Sequence, residues 1–194
     1  MSAARILYRT RQFWQTLRLS PTPRELGSAR SVLSPAQIDL FSRMQPGEQY
    51  HSLRVYSKLV GAGESNHDLL VAALLHDAGK TLYPLKLWER AWIVIGKALL
   101  PRLSQGWSQE DIRQSKRLAF WKRPFIVAER HPEWGADLAS QAGASDQTVS
   151  LIRRHQEGPF LPSSIGPAGE ENEGEIENIE DWLLGKLQAT DNES

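Results

Sequence analysis

Apolar residues recur along the chain at steps of three and four and never alternate over a useful length, so the pattern predicts an all-α protein of roughly seven to ten helices. A short amphipathic helix over 4–18 carries Ile6, Phe13, Trp14 and Leu17 among arginines. Ser20-Pro21-Thr22-Pro23 breaks it and sets residues 1–34 apart as an N-terminal arm. Ser34-Pro35 reads as an N-cap followed by proline in the first helical position, with Leu40, Phe41 and Met44 behind it and Pro46-Gly47 as the stop. The next helix carries His51, Leu53, Val55, Tyr56 and Leu59 and is closed by Gly61 and Gly63. Ser65-Asn66 caps a run that is apolar on every side from Leu69 to Leu75, the pattern of a helix buried all round.

Beyond that run, Pro84 is expected to open a helix with Trp88, Trp92, Ile95 and Leu99 on one face, ended by Pro101. Residues 104–125 read as helix, and Pro132 as the start of another ending near Gly143. Ser145 caps a helix through Val149, Leu151 and Ile152 to His155. Residues 158–175, rich in Gly, Pro, Ser and Glu, read as a mobile acidic loop. The last helix places Ile176, Ile179, Leu183, Leu187 and Asp191 on one inward face.

At 194 residues and 40% hydrophobic, the chain suits one domain with a sizeable core, expected over 35–194. The absence of cysteine excludes disulfides, thiol nucleophiles and iron–sulfur clusters, so any metal must be held by His, Asp or Glu. Such ligands suit iron, manganese, zinc, cobalt or nickel. The net charge of zero is unevenly spread, with +5 over residues 1–34, +7 over 80–130 and −9 over 157–194. A charge run is more often a solvated face than a binding surface, and basic blocks without a recognised motif do not make a nucleic-acid site. The first residues lack the apolar core of a secretory signal, and no stretch approaches the roughly 20 apolar residues of a spanning helix. A cytoplasmic location is therefore expected. The Trp88/Trp92/Ile95/Leu99 stripe is expected in the core; the basic residues around it, Lys86, Arg90, Lys97 and Arg102, leave a lid or a weak membrane-surface contact as rivals.

The chemistry concentrates where the buried run ends, in His76-Asp77-Ala78-Gly79-Lys80. A carboxylate there must be paired or must bind a cation, because an unpaired buried charge is strongly disfavoured. Further ligands have to come from elsewhere in the chain. Those available are His51, His131 in His131-Pro132-Glu133-Trp134-Gly135, His155 in Arg153-Arg154-His155-Gln156-Glu157, and Asp191 on the last helix.

This ordered set resembles the HD-domain metal-dependent phosphohydrolases, whose pattern is a His, a His-Asp doublet and a distant Asp. The single histidines at 131 and 155 are similar to those of the two-metal branches, and the ligand order is nearest the bacterial diadenosine tetraphosphate hydrolases. The cyclic-di-GMP branch differs, since its paired histidines and Gly-Tyr-Pro are replaced here by Arg154-His155 and Gly158-Pro159-Phe160. The segment 84–125 matches no part of the pattern and is expected to be a helical insert. The resemblance implies one divalent ion on His51, His76, Asp77 and Asp191 and a second on Asp77, His131 and His155, with Asp77 bridging. It also implies hydrolysis of a small phosphorylated substrate such as a nucleotide by metal-activated water, with Asp77 and Lys80 in catalytic positions. Lys80, Arg54 and Arg154 are the candidates to bind its phosphate. The rival function is a regulatory module that binds metal or nucleotide without turnover. Each residue also has a plainer role open to it: His131 as a helix cap, His155 and Lys80 as cations at helix C-termini, His67 as a surface residue.

Overall fold

The computed structural model describes residues 20–99, 120–157 and 174–193. The amphipathic segment at 4–18, the stretch 104–119 and residues 158–173 of the acidic loop lie outside the described residues. Among the described residues the architecture is all-α, with eight α-helices, one 3₁₀ turn and no strand. In chain order these are α1 (Pro23–Arg30), α2 (Pro35–Ser42), α3 (Pro46–Gly61), α4 (His67–Leu75), the 3₁₀ turn η1 (Ala78–Leu82), α5 (Leu87–Leu99), α6 (Arg123–Gln141), α7 (Asp146–Arg154) and α8 (Gly174–Glu193).

The bundle forms around α4, whose residues from Leu69 to Leu75 are all buried. It is enclosed by α2, α3, α7 and α8, which is why the sequence there has no polar stripe. Side-chain caps start the elements as expected: Ser34 accepts from the Gln37 N–H, Asn66 from Leu69 and Ser145 from Thr148. Each such cap is worth about 1 kcal/mol. Asp68 receives hydrogen bonds from Ser145 and Thr148, tying the first turns of α4 and α7 together. Gly63 and Gly143, at φ 87° and 76°, turn the chain in the left-handed region just past α3 and α6, where a Cβ would be strained. Ala29 and Leu33 add residues 23–33 to the core.

Several boundaries differ from the sequence reading. Pro46 does not stop α2 but opens α3, where its missing N–H costs nothing. Pro132 does not begin a helix either; it lies inside α6. Gly174 and Glu175, read as loop, begin α8. Ile179 is 53% exposed, so the inward stripe of α8 is Leu183, Leu184 and Leu187. The α5 helix starts at Leu87 rather than at Pro84, with the Lys86 N–H donating to the Glu89 carboxylate at 2.6 Å. Its aromatic stripe is not core: Trp88 and Ile95 are each 48% exposed.

Candidate metal centre

Three histidines reach the same point from different helix geometries, and one rule sets all of them. The last carbonyls of a helix lack intrahelical partners. His76 caps α4 and donates Nδ1–H to the Ala73 carbonyl at 3.0 Å. His155 does the same for α7, donating to Ile152 at 2.7 Å. His131 is inside α6, but Pro132 has no N–H to give to the Ala128 carbonyl. The His131 Nδ1–H serves that carbonyl and the one at Val127, both at 3.1 Å. In each ring Nδ1 is therefore committed to donating to a carbonyl, and Nε2 is the atom turned toward the cluster.

All three Nε2 atoms are buried without a hydrogen-bond partner. They converge: His76 and His155 have ring centroids 5.1 Å apart, and His131 and His155 5.2 Å. An unsatisfied buried polar atom costs about 1–3 kcal/mol, so three in one cluster are a cost that a bound cation removes.

The carboxylates come from the following element and from the chain's last helix. Asp77 is 4% exposed. Its Oδ1 is 2.6 Å from Lys80 Nζ and 3.3 Å from His131 Nε2, while Oδ2 is 3.8 Å from His76 Nε2. Lys80 thus supplies Asp77 with a positive charge where a metal would supply another. Asp191 Oδ1 lies 2.6 Å from His51 Nε2 and 3.4 Å from His76 Nε2. The α8 helix is held in register by Lys58, which donates to the Glu193 carbonyl at 2.7 Å. Gln188 donates to the Arg154 and Glu157 carbonyls and so braces the turn that carries His155.

The potentials in this cluster oppose one another. Burial pulls His76 down, yet the Asp77 and Asp191 carboxylates outweigh it and raise the imidazole to about 9. His155 is driven down to about 3 by burial and by the charges of His76 and His131. His131 is lowered by burial and by Lys80, against the pull of Asp77. Burial would raise Asp77, but Lys80, His76 and His131 hold it well below the usual carboxylate range. Asp191 is likewise lowered, by His76 and His51 against its burial.

Two triads bring one ligand atom each to within 4.8 Å of one another: His51, His76 and Asp77, and Asp77, His131 and His155. Asp77 is common to both. Asp191 adjoins the first triad through His51 and His76. The donor set, imidazole nitrogens and carboxylate oxygens with three buried Nε2 atoms that lack hydrogen-bond partners, fits one or two divalent transition ions.

The remaining candidates lie as follows. Lys80 is on the centre. Arg154 gives its donors to Glu157, Glu180 and Asp181, and these hold its guanidinium above its ordinary pKa despite burial. Arg54 is partly buried and makes no ion pair among the described residues. His67 is exposed, as expected.

Sequence reasoning missed two features. A Cβ on Gly79 would stand 2.0 Å from the His131 carbonyl oxygen and 2.6 Å from the Gly135 nitrogen, so glycine alone lets η1 approach α6 closely enough to set Asp77 beside His131. Glu48, 3% exposed, is paired with Arg90 of α5 at 2.6 Å. Burial raises its pKa, with Lys80 opposing. Its place three residues before His51, on one helix face, was the available signal.

An all-helical bundle with a buried His/Asp centre defines a class of metal-binding proteins. Residues 49–186 match the family model HD domain, and the chain belongs to that family, one of metal-dependent phosphohydrolases. The matched span includes all the proposed ligands except Asp191. No curated protein and no solved structure matched the chain. No helix among the described residues is long and apolar enough to cross a membrane.

Proposed function

We propose that this protein is a metal-dependent phosphohydrolase that cleaves a phosphoester or phosphoanhydride of a nucleotide or a related small molecule. The observation that carries the reading is the convergence of three buried, unpartnered Nε2 atoms on Asp77. His51, His76, Asp77 and Asp191 would hold one cation and Asp77, His131 and His155 a second. Cations held there lower the pKa of a water and offset charge on the reacting phosphoryl group. The chain's own residues do the rest. The Nδ1 hydrogen bonds lock the ring orientations, and the apolar wall of α4 excludes bulk water. Lys80, on the partly exposed side of Asp77, offers its ammonium to a phosphate oxygen. Arg54 is a second phosphate donor.

Arg154, with its donors taken by three carboxylates, is withdrawn from phosphate binding, and the rival reading is a module that binds metal or nucleotide without turnover. The deciding experiment is hydrolysis of a nucleotide panel, diadenosine polyphosphates included, by the full chain with manganese, iron, cobalt or nickel. Turnover that requires metal supports the hydrolase. A folded, metal-loaded protein that binds nucleotide but hydrolyses nothing overturns it in favour of the module.

A further inference from the structure

Leu87, Trp88 and Ile95 on the outer side of α5 are each 48% exposed, and Phe120 beside them is 72% exposed. Trp88, Ala91, Trp92, Ile95, Phe120 and Trp121 line an open groove of about 340 Å³. A contiguous apolar surface of this kind marks an interaction site.

The surface is held on a fixed platform. Trp92 donates Nε1–H to the Trp121 carbonyl at 3.0 Å, and its ring meets Phe125 edge-on at 6.2 Å. Gly96 lets α5 approach the Phe125 ring, where a Cβ would come within 2.4 Å. At the other end of α5, Arg90 is locked to Glu48 and Gln45. The inner side of the helix is thus fully committed while its outer side faces away from the core.

Among the described residues, the charges at the border of the groove have one sign. Lys86 is exposed immediately before Leu87. Lys122 Nζ lies 5.5 Å from the Trp121 ring centroid. The acid at the start of α5, Glu89, is 5% exposed and turned to the Lys86 N–H. The acid in the first two turns of α6 is Glu129, beyond the groove residues. A specific protein interface carries about one hydrogen bond per 100–200 Å², whereas this groove wall is carbon almost throughout. Exposed aromatic rings bordered by cations are instead the composition of surfaces that lie in a lipid interface, where no fixed polar partner is needed.

We propose that the aromatic face of α5, together with Phe120 and Trp121, seats the protein on an anionic phospholipid surface, with Lys86 and Lys122 toward the headgroups. The contact is superficial and does not depend on the metal centre.

The test is co-sedimentation of the full chain with vesicles of phosphatidylcholine alone and with about 30% phosphatidylglycerol added. Expected is binding to the anionic vesicles at least about tenfold tighter than to the neutral ones, reversed by high salt. Trp88→Ser with Phe120→Ser weakens it by about tenfold or more, since both rings leave the interface. Lys86→Glu weakens it by about fivefold or more, and as a change at an exposed position it carries the test even where the double variant fails to fold. Equal binding to neutral and anionic vesicles, no binding to either, or unchanged binding by these variants overturns the proposal. So does a concentration-dependent dimer that Trp88→Ser dissociates, because the face would then belong to a second copy of the chain.

Discussion

The two sides of α6 make opposite departures from the rule that apolar groups go inside and polar groups outside. On one side His131 joins His76, His155 and Asp77 in a cluster of polar atoms withdrawn from water. On the other side Phe125 backs α5, whose Trp88 and Ile95 remain half in water. Scattered exposed apolar residues are ordinary, but a buried unpaired polar cluster and a contiguous exposed aromatic surface are not. The first lowers stability until a cation arrives; the second costs little stability and shapes only what the surface meets. Changes at the two places should accordingly differ in size and in what they affect.

The largest effect is expected at Asp77, the carboxylate common to both triads. Asp77→Ala lowers kcat/KM by at least about a thousandfold, and metal analysis of the purified variant shows at least one ion lost. Full activity in that variant would break the contrast at its root. Next is Gly79→Ala. Its methyl group would have to displace the α6 backbone, so urea unfolding should show a loss of about 3 kcal/mol or more. A loss below about 0.5 kcal/mol would mean that η1 and α6 are not held at this distance.

Metal removal comes third. Chelator-treated protein should melt several degrees below protein at a hundredfold excess of manganese over its Kd, corresponding to about 2.7 kcal/mol. Asp77→Ala should abolish the difference, whereas Trp88→Ala should preserve it. Smaller again, taken per pH unit, is the pH response of the metal-free protein. His155, at about 3 in the fold against 6.5 in the unfolded chain, stabilises above pH 6.5, and that contribution is lost as pH falls toward 3. His76, at about 9, stabilises below pH 6.5 and loses its contribution as pH rises to 9. Metal-free protein should therefore be most stable near pH 6.5, with slopes of up to about 1.4 kcal/mol per pH unit on either side. Stability that rises steadily from about pH 6 to pH 9 under chelator contradicts the His76 assignment. The smallest effect is Trp88→Ala on unfolding, below about 1 kcal/mol, against about 2–5 kcal/mol for Leu75→Ala in α4.

Much of the fold was legible because its signals are local. The α4 helix announced burial by lacking a polar face, and Ser34, Asn66 and Ser145 announced helix starts through hydroxyl or amide groups that can reach an N–H three residues on. The ambiguous punctuation was proline. Pro46 and Pro132 look alike in sequence, but one opens a helix and the other sits inside one. Only the His131 side chain, serving the Ala128 carbonyl that Pro132 leaves unpaired, makes the second tolerable. Periodicity likewise found the stripe on α5 without its surroundings. Leu99 at one end and Trp88 at the other satisfy the same spacing whether a neighbouring helix covers them or water does. The exposure of Ile179 was hidden for the same reason.

The order and identity of the six candidate ligands, the absence of any sulfur ligand but methionine and the helical character of the chain were settled by the sequence alone, since each is a matter of residue type and short-range spacing. That His51 meets Asp191 across 140 positions, that Gly79 lets η1 settle against α6, and that Glu48 is buried under Arg90 are decisions of the tertiary structure. They depend on how closely two backbones can approach and on which face of a helix another element covers, and no local spacing encodes either.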